Sequence, residues 1–496
     1  MVKVLGFMFP VSPPQFIEPD DLLRISMVLT YVKYILYIIW VVPLYRGIKT
    51  FTSWRTHYAK LVQLPAQLEV SRSGEIPSVA VVIPARNASK YIRASILSAV
   101  NQSLIPKTIY VLDDASSDST VERVLKLIGE MNGTLISAGS NGMKEFLKYR
   151  VSLKSGRELY IEIISFKEHT GKPKMINHVL GEISREHEYM LVLDSDTVIE
   201  KKYIEKILSF IGGDKKVAGA NGTVLLWKPE GEGRLSWFFA KAFRNISSLY
   251  YLLTVRFSET VFKSVNSLNG SCALYRVKPL LEVGGFPDDT YVEDTSISWE
   301  LQLRGYSVLY LPGAFSYTVD PSSLRRFFSK VFRITVGVQK LLMTRVRRII
   351  ANGKKNLFMT SLYTSLGSLP FIFVIMNTIV SAFLTYFGAY GTGGISKYIV
   401  NSLQFTPFYI VFAFLYKYPL SYLAISYATG ILESYAVYEY LERLYKNEHS
   451  IRIPLSAAKK TIVMVPLILW AQAFIALIAL PVSFIHAITG KRASKW

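Results

Sequence analysis

Between residues 78 and 200, short apolar runs alternate with stretches of helical periodicity. Val79–Ile83, Thr108–Leu112, Leu159–Ile164 and Tyr189–Leu193 are compact apolar runs of strand length. Ala88–Asn101, Ser119–Gly129 and Lys174–Ile183 place apolar residues at helical spacing between them, and the stretch after Gly129 reads as irregular. Strands and helices that alternate in this way predict an α/β domain with a parallel sheet. Ligands of such sheets bind beyond the carboxyl ends of the strands. Here those ends carry Pro84-Ala85-Arg86-Asn87, Asp113-Asp114 and Asp194-Ser195-Asp196. Three polar clusters at three strand ends point to one shared crevice.

The apolar pattern changes at both ends of the chain. Ile25–Leu44 is largely apolar, interrupted by Lys33, and is long enough to span a bilayer. Glu18, Asp20 and Asp21 precede it, while Arg46, Lys49, Arg55 and Lys60 follow. The positive-inside rule puts the N-terminus outside and the following residues in the cytoplasm. Further apolar segments occupy Leu357–Phe387, Ile399–Tyr416, Tyr418–Val437 and Ile462–Ile488. The middle two read as two spans or as one broken span, giving three or four C-terminal spans. No Asp or Glu occurs from Pro321 to Leu432, and the first part of that run mixes Arg325, Arg326, Lys330, Arg333, Arg345 and Arg348 with apolar residues. A basic amphipathic segment next to apolar spans reads as an interfacial helix on anionic lipid, with a surface helix of the α/β domain as the alternative.

The expected layout is therefore an extracytoplasmic N-terminus (1–25), a transmembrane helix (26–45), a membrane-proximal linker (46–77) and the α/β domain (78–320). A basic interfacial region (321–355), three to four transmembrane helices (356–490) and a basic tail (491–496) complete it. That layout predicts a multi-pass protein of the cell membrane with its α/β domain in the cytoplasm.

Composition agrees with that layout. Half of the residues are hydrophobic, and the mean hydropathy is +0.27. The net charge of +21 raises the question of nucleic acid. No helix-turn-helix, zinc-finger or RNA-binding pattern accompanies it, and the cations cluster beside apolar spans, so membrane lipids are the expected partners and nucleic acid is not. The single cysteine, Cys272, excludes an internal disulfide and reads as a small packed residue.

The chemistry begins at Asp194 and Asp196. At i and i+2 on a strand end, the two carboxylates can lean toward one site. They repel unless a cation or a shared proton intervenes. A divalent ion holding a diphosphate suits them, whereas a polar turn after a strand is the plainer reading of a lone D-x-D string.

Several further motifs lie around it in order. Val81-Val82-Ile83-Pro84-Ala85-Arg86-Asn87, Leu112-Asp113-Asp114-Ala115, Gly171-Lys172-Pro173-Lys174-Met175-Ile176-Asn177, Asp194-Ser195-Asp196, Gly284-Gly285-Phe286, Glu293-Asp294 and Arg304-Gly305-Tyr306 follow one another over residues 78–312. Together they resemble family 2 glycosyltransferases. The resemblance implies a GT-A (Rossmann-like) domain that binds a nucleotide sugar, probed here by Pro84, Ala85 and Arg86 at the base and ribose and by Asp113 or Asp114 at the base. It implies Lys172 near the diphosphate, Asp194 and Ser195 at the ribose or metal, and Asp196 with Asp194 on Mg²⁺ or Mn²⁺. It also implies Asp294, next to Glu293, as general base, and Gly270 and Ser271 on the acceptor side.

The physics of the reaction is consistent with those roles. Negative charge grows on the departing diphosphate, and a divalent ion with Lys172 would stabilise it. An acceptor hydroxyl needs a carboxylate within hydrogen-bond reach. A single displacement inverts the anomeric centre and needs one base, unlike the carboxylate pair of most glycoside hydrolases.

The membrane layout resembles cellulose, hyaluronan and poly-N-acetylglucosamine synthases. Those enzymes carry a Q-x-x-R-W motif on the interfacial helix. Here Lys330-Val331-Phe332-Arg333-Ile334 keeps only the arginine. The acceptor is thus expected to be a growing polysaccharide. A polyprenyl phosphate or lipid-linked glycan receiving one sugar is the alternative, and a transporter or scaffold with an inactive transferase domain is the non-enzymatic one.

Overall fold

The computed structural model describes residues 77–153, 156–211, 214–227, 264–319, 324–366 and 465–489. The first expected strand is β1 (Val79–Ala85), followed by α1 (Ile92–Val100), β2 (Thr108–Asp114) and α2 (Thr120–Glu130). Then come β3 (Thr134–Ser140), β4 (Lys144–Ser152), β5 (Glu158–Phe166), α3 (Lys172–Glu186), β6 (Tyr189–Leu193), β7 (Thr197–Ile199), α4 (Tyr203–Ile211) and β8 (Val217–Leu226). The second half supplies β9 (Cys272–Arg276), α5 (Val277–Glu282), α6 (Glu293–Arg304) and β10 (Ser307–Thr318).

The strands form one sheet in the order β3-β4-β5-β2-β1-β6-β9-β8-β10-β7. Its centre, β5-β2-β1-β6, is parallel. All residues of β1, β2 and β6 are buried, as expected where helices cover both faces. The period of two divides β1 between two cores. Val79, Val81 and Ile83 pack with Ile92 and Ile96 of α1. Ala80 and Val82 pack on the other face with Ile176 and Val179 of α3.

Two expectations about the sheet change. The stretch after Gly129 is not irregular: β3 and β4 form an antiparallel hairpin, and β4 pairs antiparallel with β5. The hairpin lies at the edge with most of its side chains exposed or half-buried, so it lacks the continuous apolar run of a central strand. The sheet is also mixed rather than parallel, because β9 runs antiparallel to both β6 and β8. That reversal brings the residues just before β9 to the carboxyl end of β6, where the crevice lies.

The basic region forms α7 (Leu324–Ala351), a 28-residue helix followed by α8 (Lys355–Leu366). Its cations do not all face outward. Arg345 is buried and pairs with Glu300 of α6. Arg348 grips the same carboxylate through two bonds of 3.0 and 2.9 Å. Lys340 Nζ donates to the Asp289 carbonyl at 3.0 Å. Arg325, Arg326 and Arg347 are exposed. The helix is therefore clamped to the α/β domain on one side.

The last described helix, α9 (Val465–Ile488), packs along α7. Between them Gln339 Nε2 donates to the Ala476 carbonyl at 3.1 Å, and Ser483 Oγ donates to Gln339 Oε1 at 2.9 Å. Among the described residues no helix is long and apolar enough to cross a membrane. The expected spans at 26–45 and 399–437, and the span at 357–387 beyond residue 366, lie outside the described residues, as do the linker's residues 46–76 and the 491–496 tail. The expected span at 462–488 falls on α9, whose described side chains begin only at Ile475.

Candidate active site

The carboxyl ends of β1 and β2 meet in register, Ala85 beside Asp113. The loop after β1 is stapled to the loop after β2. Ser117 N donates to Asn87 Oδ1 at 2.8 Å, Asn87 N to Ser116 Oγ at 2.9 Å, and Ala88 N to Thr120 Oγ1 at 2.8 Å. These contacts delay α1 until Ile92 and fix a rigid rim beside Pro84 and Ala85, with Arg86 exposed on it.

The adjacent acids of β2 have different tasks. Asp114 fastens the loop before α3: its carboxylate accepts from Thr170 N at 2.6 Å and Gly171 N at 3.2 Å, and contacts His169 Nδ1 at 2.6 Å. Asp113 Oδ2 accepts a long bond, 3.4 Å, from Ser116 N. Its Oδ1 is buried without a partner, and burial raises its pKa. A buried acceptor in that state calls for a donor from a ligand. Of the two, Asp113 is the one that keeps an unpaired acceptor, and Asp114 shapes the wall.

Lys172 stands at the start of α3, placed there by Gly171 at φ +89. Its Nζ donates to Asp194 Oδ1 at 2.6 Å and to the Gly270 carbonyl at 2.7 Å, and lies 3.6 Å from Glu293 Oε1. Burial opposes the charge, but Asp194 and Glu293 outweigh it and hold the ammonium above the usual lysine value. The lysine thus joins the D-x-D turn, the segment before β9 and the start of α6.

The other two sides are built on backbone. Asp194 N donates to the Ser271 carbonyl at 2.9 Å, continuing the β6–β9 ladder past Cys272. Ser95 Oγ donates to the Asp194 carbonyl at 3.2 Å, tying the turn that contains Ser195 to α1. Asp294 Oδ2 accepts from Gly270 N at 3.0 Å, and Oδ1 from Thr295 N at 2.7 Å. Burial, then the charge of Glu293, push Asp294 up to about 6. A carboxylate of that kind at a helix start is suited to taking a proton near neutrality.

Asp196 is pushed up to about 6 by burial and then by Asp194, while Lys330 of α7 and Lys172 oppose the shift. Its Oδ1 lies 3.4 Å from the hydroxyls of Thr197 and Thr318. Two hard oxygen ligands that repel each other fit Mg²⁺ or Mn²⁺. Among the described residues no group of three or more His, Cys, Asp or Glu side chains forms a full cage. An ion held by Asp194 and Asp196 would need further oxygens from a diphosphate or water, which matches the preference of these ions.

The described residues add one contact that sequence reasoning passed over. Asn177 Nδ2 donates to the Phe286 carbonyl at 2.8 Å, and Phe286 N donates to Asn177 Oδ1 at 2.7 Å. A Cβ on Gly285 would lie 2.4 Å from Asn177 Oδ1, so this glycine is required at φ +81. Both partners belong to quoted motifs, and their joint presence is the signal that pairs them. Cys272 is fully buried and its thiol is pushed up to about 12 by burial, in keeping with a packed residue. Arg333 Nη1 donates to the Tyr291 carbonyl at 3.4 Å, two residues before the acid pair.

Gly270 gives a direct test of this geometry. A Cβ there would lie 3.0 Å from Asp294 Oδ2 and 3.3 Å from its Cγ. Gly270→Ala is expected to lower turnover by roughly 10- to 100-fold, because small misplacements of a reacting group cost that much. Steady-state kinetics alongside thermal melting checks it, and an unchanged rate with an unchanged melt would remove Gly270 from the site.

Comparison with known proteins follows the same residues. Residues 80–284 match the profile of glycosyl transferase family 2. The relatives include a poly-beta-1,6-N-acetyl-D-glucosamine synthase of Staphylococcus aureus (strain COL), 22% identical over 269 residues, covering 54% of this chain and 56% of the relative. The chain thus spans about half the length of that relative. A synthase of the same name from Staphylococcus epidermidis is 20% identical over 346 residues, covering 68% of this chain and 75% of the relative. Among solved structures, a mannosyltransferase from Pyrobaculum calidifontis in complex with GDP-Man and Mn²⁺ aligns with a TM-score of 0.47 and 15% identity, over 78% of this chain and 96% of that one. The fold assignment rests on the strand order of the chain itself. A second profile, glycosyl transferase family group 2, matches residues 189–436. It covers half of the chain and runs through both the D-x-D turn and the start of α6, and on that match the chain belongs to glycosyl transferase family group 2.

Proposed function

We propose that the protein is a membrane-bound inverting glycosyltransferase that moves a sugar from a UDP-linked donor to a growing polysaccharide. The observation that carries the reading is Lys172, which bridges Asp194 on one side and the Glu293–Asp294 helix start on the other. A donor lying across that bridge would have its leaving group at Lys172 and its anomeric carbon facing Asp294.

In this reading Asp113 Oδ1 takes a hydrogen bond from the base. Pro84 and Ala85 bound the base and ribose pocket. Asp194 and Asp196 would hold a divalent ion, which when bound would supply positive charge to the diphosphate. Lys172 turns its ammonium toward the same phosphate oxygens as charge develops there. Asp294 accepts the proton of the acceptor hydroxyl, which attacks from the face opposite the diphosphate. Gly270 N, by donating to Asp294 Oδ2, orients that carboxylate.

The relatives are named for an N-acetylglucosamine polymer, which supports UDP-N-acetylglucosamine as the first donor to test. The apolar segments and the exposed cations of α7 support a membrane location with the catalytic domain in the cytoplasm. A single-addition enzyme acting on a lipid-linked glycan is favoured by one feature: Ile334, 40% exposed, occupies the position of the tryptophan that processive synthases carry.

Purified protein in lipid nanodiscs, given UDP- and GDP-linked sugars with Mg²⁺ or Mn²⁺, is expected to release nucleotide from one of them. A product ladder supports polymerisation, and one added sugar supports the second reading. No release from any donor in the presence of membrane-derived acceptor would sink both.

A further inference from the structure

We propose that Gly337 of α7, with Arg333 and Lys340 on the same helix face, is a positioning contact that sets where the acid pair Glu293–Asp294 stands. The inference rests on the reading of Asp294 as the acceptor base. Residues 287–292, which deliver that pair, form neither helix nor strand. Something else must fix their path, and α7 does so at successive turns. Arg333 donates to the Tyr291 carbonyl at 3.4 Å, and Lys340 Nζ to the Asp289 carbonyl at 3.0 Å. Positions 333, 337 and 340 are spaced i, i+4, i+7 and share one face.

At Gly337 the helix leaves no room for a side chain. A Cβ there would meet Val292 Cγ1 at 2.9 Å, Val292 Cγ2 at 3.1 Å and Tyr291 Cβ at 3.2 Å. Glycine is a poor helix former, and Gly337 lies inside the 28-residue α7 without a positive φ. Its conformational freedom is therefore not what the position uses. The missing side chain is what the Tyr291–Val292 segment fills.

Val292 in turn controls α6. It is the residue before the helix, and its carbonyl accepts the first helical bond from Ser296 N at 2.9 Å. It packs in one cluster with Trp299 of α6 and with Val338, Leu341 and Leu342 of α7. Shifting Val292 moves the first turn of α6 and Asp294 with it. The donor-side acids do not ride on α6: Asp113 sits at the carboxyl end of β2, and Asp194 and Asp196 in the turn after β6. Tyr291 also faces the His486 ring of α9 at 6.0 Å, so the helix layer and the acid pair are in continuous contact.

The test compares Gly337→Ala, Gly337→Ala with Val292→Ala, and Asp294→Asn. Gly337→Ala is expected to lower the transfer kcat about tenfold while leaving the donor KM, and the affinity for UDP with Mn²⁺ by calorimetry, within twofold. Adding Val292→Ala removes the methyl groups that a Cβ would strike and is expected to restore most of the lost rate. A wild-type rate in a folded Gly337→Ala protein would overturn the proposal. So would a loss of UDP affinity that matches the loss of rate, or a loss that Val292→Ala leaves in place. Asp294→Asn separates the two levels: an active Asp294→Asn protein defeats the base assignment itself, whereas an inactive one beside a fully active Gly337→Ala protein defeats only the positioning role.

Discussion

Asp294→Asn is expected to lower sugar transfer by roughly a thousandfold while leaving donor affinity nearly unchanged, within the range that removal of a positioned general base produces. The change is close in shape. An asparagine oxygen can keep one of the two backbone bonds, from Gly270 N or Thr295 N, that the carboxylate now accepts. What it cannot do is take a proton from a hydroxyl. In the proposed reading the donor contacts lie elsewhere, at Asp113, Lys172 and the Asp194–Asp196 turn. The kinetic signature is therefore a fall in kcat with a steady donor KM, measured by nucleotide release in the presence of acceptor. A rate within threefold of wild type would return the base role to Glu293 or to a group outside the described residues.

The pH dependence sharpens the same expectation. A base held at about 6 is ionised above that value, so transfer should fall tenfold per unit as pH drops below it. Stability moves the other way. The folded carboxyl holds its proton up to about 6, whereas an unfolded aspartate releases it near 3.9. Between those values the folded state binds more protons, so this group's contribution to stability declines as pH rises and is flat above the window. Asp196 shares the window in the free protein, so the activity limb is read at saturating donor and metal, where a cation bound as proposed would keep Asp196 ionised. Asp294→Asn should abolish the limb attributed to Asp294.

How far this site could be read from sequence depended on which side of the chain carried the information. β1, β2 and β6 were legible because burial on both faces leaves unbroken apolar runs, and their ends then displayed Asp113, Asp114, Asp194 and Asp196. The β3–β4 hairpin was not, since Lys144, Glu145, Lys148 and Arg150 interrupt β4 at a solvent-facing edge. The antiparallel direction of β9 was hidden as well: a five-residue strand has the same pattern in either direction. Within the site, side-chain identities named the players but not their division of labour. Asp113 and Asp114 are neighbours in sequence, and only their surroundings separate the open acceptor from the loop fastener. Contacts to main chain, such as Lys172 to the Gly270 carbonyl or Lys340 to the Asp289 carbonyl, carry no residue-type signature at all. The acid-free run from Pro321 announced a basic helix. It did not announce that Glu300 and Asp289 would claim Arg345, Arg348 and Lys340 for the α/β domain.

Lys172→Met is the second substitution with a large expected effect, and it separates two roles that one ammonium combines. As a stabiliser of the leaving diphosphate, the lysine is expected to contribute roughly 100- to 1,000-fold to kcat, the scale seen when one preorganised charge partner is removed. As a counter-ion, it offsets Asp194, Glu293 and Asp294 in the resting protein. Methionine keeps the length and apolar stem of the side chain, so the loss is that of charge and hydrogen bonds. Breaking a buried pair typically costs about 3–5 kcal/mol, and here the lysine side chain is 23% exposed, which points to the lower end of that range. Without the cation, Asp294 should hold its proton more tightly, and the acid limb of the rate profile should move to higher pH. That shift is the diagnostic. A fall in melting temperature alone would mark Lys172 as a structural strut. A fall in kcat with a displaced acid limb requires that the same ammonium govern both the leaving group and the base. Lys172→Arg keeps the charge but not the compact geometry that reaches Asp194 Oδ1 and the Gly270 carbonyl together, so it should retain the wild-type limb with a reduced rate. If Lys172→Met turns over within threefold of wild type, the leaving-group role is wrong whatever happens to stability.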